Sequence, residues 1–150
     1  MRTLANPTDY ELLAHRFAAV TPQDQACWGR MNVYQMLRHV ADAIRVSLGE
    51  FEVSEHTGLL WQTVVKWAAL WYPRPWPHNS ATRPELDLCA SGITAGDFEA
   101  ARQDALTQLD RLRRARLDGV RHPFFGNLAH KEWMRWGWLH NDHHLRQFGR

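Results

Sequence analysis

At 150 residues the chain is the length of one domain, long enough to bury roughly two-thirds of its unfolded surface. An apolar share of 45% is that of an ordinary globular protein and excludes a disordered or collagen-like chain. A formal charge of +2 is too small to argue for a nucleic-acid partner. The unusual features are eight Trp, nine His, and 18 cationic side chains among which Arg outnumbers Lys sixteen to two. Arg suits bidentate contacts with anions but names no partner. Cys27 and Cys89 form no CxxC pair, and "MRTLANPTDY" carries no secretory signal. Two free thiols and a cytoplasmic location are therefore expected. No apolar run approaches membrane-spanning length.

In "PTDYELLAHRFAAV", Thr8 or Asp9 predicts an N-cap and a short amphipathic helix to about Val20. "TPQDQACWGR" is a connector. Asn32 with Gln35 three residues on has capping-box spacing and opens a second helix that runs to Gly49. Val33, Met36, Leu37, Val40, Ile44 and Leu48 form its apolar arc, with Arg38, Asp42 and Arg45 opposite. A third helix, "GLLWQTVVKWAALW", stops before Pro73. Prolines at 73, 75, 77 and 84 make the next segment a long non-helical connection. Thr94 and Asp97 open a fourth helix that ends near Gly119. Arg111, Arg113, Arg114 and Arg116 lie in its last turns, where cations complement the helix dipole. "RHPFFGNL" reads as a loop, and a fifth helix spans about Ala129 to Phe148. With no convincing strand, the class is all-α, and four long helices plus a short N-terminal one suggest a bundle formed by residues 1–150 as a single domain.

Each helical residue advances about 100° around the axis. On the last helix Trp133, Trp136, Gly137, His140, His143, His144, Gln147 and Phe148 then share one arc, and Lys131, Arg135, Asp142 and Arg146 lie opposite. His140 and His144, four apart on an inward face, can reach a single ion. His143 can do so nearly as well, since residues three apart also share a face. Asn141 follows His140, so the HExxH glutamate of zinc proteases is absent. A catalytic metal usually takes three protein ligands and leaves a position open. His15, His56, His78, His122 and His130 lie on the short helix, in loops or at a helix start. His39 sits mid-helix at the edge of the second helix's apolar arc. A lone histidine there is more often a satisfied core residue, and it gains interest because another helix needs a third ligand.

"HPFFGNL", "KEW" and "HNDHHLRQFG", with "WGRMNVYQMLRHVAD" upstream, make the chain similar to an uncharacterised branch of the DinB/YfiT-like superfamily, from about Trp28 to Phe148. That resemblance implies a four-helix bundle holding one divalent metal, Zn²⁺ or Ni²⁺, through three histidines, one from an early helix and two from the last. Placed on the motif these are His39, His140 and His144, and His143 is the intervening histidine, usually not a ligand. Characterised members include thiol-dependent transferases and isomerases using bacillithiol, mycothiol or glutathione, and many members have no known reaction. The expectation is a metal-dependent enzyme, a thiol-using S-transferase or isomerase acting on small electrophiles. The competing expectation is a noncatalytic metal- or ligand-binding stress-response protein. Ala129 departs from the pattern, since a Ser or Thr cap is expected before "HKEW".

Around the site, Gln147 could orient a ligand or pack against a helix, His143 and Trp136 could line a pocket, and Trp133 is most simply core. Trp61, Trp67, Trp71 and Trp76 crowd one region, and some of them should line a pocket or an interface. Trp138, Met134 and Leu145 form a second apolar stripe that suggests a two-fold dimer contact. The expected partners are a small-molecule substrate and a second copy of the chain, with neither nucleic acid nor membrane.

Overall fold

A computed structural model describes residues 1–55, 58–79, 82–117 and 119–150. The described residues are mostly helical. In chain order they form α1 (Pro7–Ala18), α2 (Val33–Ser47), a π-helical turn (Trp61–Val65) running into α3 (Lys66–Trp71), a 3₁₀ turn (Pro84–Leu86), α4 (Phe98–Arg114), the two-residue strands β1 (Arg121–His122) and β2 (Gly126–Asn127), and α5 (His130–Gln147). His56 and Asp118 lie outside the described residues, as do Ser80 and Ala81 of the proline segment. No helix among the described residues is long and apolar enough to cross a membrane.

α1 starts two to three residues earlier than a cap at Thr8 or Asp9 implies. Asn6, not Thr8 or Asp9, is the N-cap, its Oδ1 accepting from the N–H groups of Thr8 and Asp9 at 2.9 and 3.2 Å, with Pro7 pre-set at the first helical position. α2 carries the full capping box: Asn32 Oδ1 accepts from Gln35 N–H at 2.8 Å, and Gln35 Oε1 accepts from Asn32 N–H at 2.9 Å. The same Gln35 donates its amide to the carbonyls of Leu88 and Ile93, and Asn32 Nδ2 donates to Thr94 O. One local motif thus starts α2 and pins the loop that follows the prolines. Asn32→Ala should cost about 1–2 kcal/mol and Asn32→Ser distinctly less, as urea unfolding curves would read.

Of Thr94 and Asp97, it is Asp97 that caps α4, accepting from Ala100 N–H, and the helix ends at Arg114, short of Gly119. Its C-terminal arginines are ion-paired on the surface, Arg111 with Glu50 and both Arg113 and Arg114 with Asp110. The "RHPFFGNL" stretch is a loop closed by a minimal antiparallel hairpin that pairs Arg121 with Asn127 and His122 with Gly126, a small strand content the sequence did not suggest. α5 starts without a side-chain cap, since Ala129 has no acceptor. Half of the box survives, because Glu132 Oε2 accepts from Ala129 N–H at 2.8 Å.

One apolar cluster runs through the molecule. It joins Leu4 and the inner faces of α1, α2, α4 and α5, with Trp133, Met134, Leu109, Leu112, Ile44 and Phe17 fully enclosed. α2 packs most extensively along α4, while α5 touches α1, α2, α3 and α4. Gly137 lets α5 come close: a Cβ there would stand 2.7 Å from the side chains of both Leu4 and Leu112. The stretch leading into α3 is loosely packed, with Leu59, Leu60 and Val64 more than half exposed, as is Trp67 of α3, whereas Leu70 anchors α3 in the core.

The Trp138 stripe is not free for a second copy. Met134 and Leu145 are fully buried, and Trp138 is 6% exposed. Trp138 Nε1 donates to Asp9 O at 3.2 Å, and the Arg2 guanidinium lies 5.3 Å over its ring. The N-terminal segment and α1 cover this stripe, so it offers no face for a dimer. Arg135, expected on the outer face of α5, is also buried at 9% exposure, its Nε donating to Leu70 O and an Nη to Arg2 O.

Candidate metal centre

α2 and α5 bring His39, His140 and His144 together. One imidazole nitrogen from each lies within 4.8 Å of the others, and all three residues are buried. Ring centroids are 4.7 Å apart for His39–His144, 4.7 Å for His140–His144 and 5.4 Å for His39–His140. The cluster is a group that could hold a metal ion. Among the described residues no fourth His, Cys, Asp or Glu joins it.

Two of the rings are oriented by their neighbours. His39 Nδ1 stands 3.1 Å from Leu86 O. A carbonyl can only accept, so Nδ1 carries the proton and Nε2 is left with its lone pair. His144 Nδ1 stands 3.0 Å from Gln147 Oε1, and Gln147 Nε2 donates to Trp28 O at 2.8 Å. The second contact fixes the amide orientation, and with it the His144 tautomer: again Nδ1–H and a free Nε2. A metal-binding histidine is normally held this way, by an acceptor on the nitrogen that does not coordinate. His140 differs. Its Nδ1 is buried without a hydrogen-bond partner among the described residues, and its ring stacks on Trp136 at 5.0 Å and 19°.

Electrostatics keep the cluster neutral. Burial pushes His39 below the ordinary imidazole range. Burial, then the mutual repulsion of the clustered rings, pushes His140 and His144 well below it. Neutral imidazole is the form that coordinates. The donor set, the two oriented tautomers and the unpartnered His140 nitrogen fit a divalent cation that prefers nitrogen ligands.

The elements around the cluster have specific work. Gln35 holds Leu88 O, two residues past the 3₁₀ turn that presents Leu86 O to His39, so the residue that closes the α2 capping box also anchors the segment carrying the partner of His39. On the other side Cys27 N–H donates to Gln147 O at 2.7 Å, and Gly29 adopts φ +82° against the Gln147 amide, where a Cβ would stand 2.4 Å from Nε2. Only glycine fits that approach.

His143 is buried beside the cluster, its centroid 5.2 Å from that of His144, but it faces Trp28 at 5.9 Å and Trp76 at 6.0 Å and is no member of the three. Burial, then Arg146, lowers its pKa to about 4. Trp28 stacks flat on His78 at 3.8 Å and 6°. Of the crowded tryptophans, Trp76 reaches the cluster, 6.3 Å from His140, whereas Trp67 is largely exposed and Trp61 packs on Phe124.

His122, a loop residue by sequence pattern, ends β1. It is 4% exposed, stacked on Phe125 at 4.5 Å, and edged by Trp133 and Trp136. Its Nδ1 accepts from the N–H groups of Phe124 and Phe125 at 3.1 and 3.2 Å. The signal available was the "HPFF" turn itself, since a histidine can accept from backbone two and three residues on, as Asn and Asp do. His15 and His130 take no part in the cluster, and both cysteines are free thiols.

The residues that carry this geometry fall within the stretch matched by one family model: that of a family described as protein of unknown function, DUF1569, which matches residues 10–150. The chain belongs to the DUF1569 family. No curated protein and no solved structure matches it.

Proposed function

We propose that this DUF1569 member is a DinB/YfiT-like metalloenzyme. Its α1, α2, α4 and α5 act as a four-helix bundle that holds one Zn²⁺ or Ni²⁺ through His39, His140 and His144. It uses a low-molecular-weight thiol to transfer to, or isomerise, a small electrophile. The observation that carries the reading is the convergence of three buried, neutral imidazoles from two helices, two of them with the tautomer fixed for coordination. The three-membered donor set supports a catalytic rather than a closed structural site, because a structural Zn²⁺ normally takes four protein ligands.

A divalent ion bound there supplies positive charge and an open position that lower the pKa of a water or thiol. The chain's own residues do the rest. Leu86 O and Gln147 Oε1 hold the ligand rings in place. Trp136 and Trp76 wall the site and keep water out. His143 offers an imidazole nitrogen, Nδ1, that has no hydrogen-bond partner among the described residues.

The test is metal analysis of protein purified without added metal, followed by a screen of cysteine, glutathione and related thiols against a small electrophile such as a haloarene. We expect near-stoichiometric divalent metal and a metal-dependent turnover with at least one thiol. Stoichiometric metal with no turnover across the screen would instead favour a noncatalytic metal-binding role.

A further inference from the structure

A second site lies on the neighbouring face of α5. A cleft of about 260 Å³ opens between the N-terminal segment, the "YPRPW" stretch after α3, and α5. Four guanidinium groups line it, from Arg2, Arg74, Arg135 and Arg146, and the one acidic lining residue is Asp142. Four cations against one carboxylate leave the lining at a net +3. Asp142 is also heavily shared, bonding Arg146 at 2.9 Å and, outside the cleft, Arg16 at 2.7 Å.

The remaining three arginines have no acidic partner within 4.0 Å among the described residues. Arg2 lies over the Trp138 ring and Arg74 over the Tyr72 ring, at 5.3 and 5.8 Å. Arg135 is the telling one. It is 9% exposed and, among the described residues, hydrogen-bonded only to two backbone carbonyls, at 3.0 and 2.6 Å. Burial holds it below the ordinary guanidinium range, with the more distant Asp142 and Asp9 opposing. A buried cation without a counter-charge is costly, and proteins retain one chiefly where an anion joins it. Outside the cleft, most arginines are ion-paired, among them Arg45, Arg111, Arg113, Arg114 and Arg150, with Arg83 and Arg116 the exceptions among the described residues.

The rest of the lining is apolar. Tyr72, Trp76, Trp138 and Leu139 contribute aromatic and aliphatic surface beside the guanidinium groups. The volume falls just below the roughly 300–1,000 Å³ typical of small-molecule pockets, too small for a nucleotide or a nucleic-acid strand. We propose that this cleft binds a small organic carboxylate with an apolar body, its carboxylate among Arg2, Arg74 and Arg135 and its body against Trp76 and Trp138. The site owes nothing to the three histidines, yet Trp76 serves both: it lines the cleft and lies 6.3 Å from His140 and 6.0 Å from His143, held by its Nε1–H bond to Ala69 O at 2.7 Å.

Phenylacetate is a suitable probe, with phenylacetamide as its uncharged counterpart and inorganic phosphate as an anion with no apolar body. Binding to the full-length, metal-replete chain would be read by NMR from the indole N–H signals of Trp76 and Trp138. We expect saturable millimolar binding of phenylacetate and about tenfold or weaker binding of phenylacetamide. The R2Q/R74Q double variant, whose substitutions sit on exposed side chains and spare the buried Arg135, should weaken phenylacetate by about tenfold as well. His144→Ala should leave phenylacetate binding intact, which separates this cleft from the metal reading. Equal affinity for acid and amide, wild-type binding in R2Q/R74Q, or no shift of the two indoles overturns the proposal. So does loss of binding in His144→Ala, which would put the carboxylate on the metal. Phosphate binding as tightly as phenylacetate overturns the assignment to an organic acid.

Discussion

His39→Ala, His140→Ala and His144→Ala should each abolish stoichiometric metal binding in protein that remains folded, while His143→Ala keeps it. The contrast rests on geometry. One imidazole nitrogen from each of the three lies within 4.8 Å of the others, close enough to hold one ion, and His143 is turned toward Trp28 and Trp76. Gln147→Leu should be intermediate. It removes the acceptor that holds the His144 tautomer but no donor to the ion, and such changes typically lower metal affinity about 10–100-fold. Thermal unfolding gives an independent reading. A metal at 100 times its Kd stabilises the folded chain by about 2.7 kcal/mol, so added metal should raise the midpoint of wild type and of His143→Ala, and leave the other three histidine variants unmoved. Metal analysis decides the matter by mass spectrometry of the intact native proteins. Loss of the ion in His143→Ala with retention in His144→Ala would reverse the ligand assignment, and retention in all four would place the ion elsewhere.

Much of this site is written locally in the sequence, and the parts that are not have identifiable causes. The pairing of His140 with His144 follows from helical periodicity alone, because α5 is long, regular and buried along one arc. The α2 boundary is legible from Asn32 and Gln35, because a capping box is a contact between residues three apart. The choice of His39 is not local. It depends on how α2 lies against α5, and periodicity marks it only as an edge residue. The acceptors that fix the tautomers are less legible still. Leu86 O comes from a turn 47 residues on, and Trp28 O reaches Gln147 from a loop 119 residues away. Backbone carbonyls carry no side-chain signature, so sequence pattern cannot point to them. The Trp138 stripe misled for a related reason. Periodicity correctly makes it apolar, but not what covers it, and the cover is the N-terminal segment, through Arg2 and Asp9. Arg135 likewise reads as solvent-facing by position, yet it is buried because the backbone at Leu70 and Arg2 supplies acceptors.

His122 gives the fold an acid-sensitive joint distinct from the metal cluster. Its Nδ1 accepts two backbone N–H bonds, so the proton of the neutral ring is on Nε2, and protonating Nδ1 breaks both bonds inside an aromatic box. Burial depresses its pKa to about 3. In the unfolded chain the group titrates near 6.5. Between those values the unfolded state binds the extra proton, so the contribution is complete above about pH 6.5 and is lost as pH falls toward 3. From pH 7 to pH 4 the difference amounts to about 3 kcal/mol from this one residue. His122→Asn isolates it. Asn Oδ1 occupies the place of His Nδ1 and can accept the same N–H bonds, yet it does not titrate. The variant should be less stable than wild type at pH 7, because a smaller side chain leaves a gap against Phe125 and Trp136. Its stability should then fall by about 3 kcal/mol less than that of wild type on going to pH 4. Urea unfolding at a series of pH values, with chelator present so that metal release does not contribute, measures both slopes. Parallel slopes for the two proteins would mean that His122 takes up its proton in the folded chain as readily as in the unfolded one, and the buried, neutral, doubly accepting ring described here would be wrong.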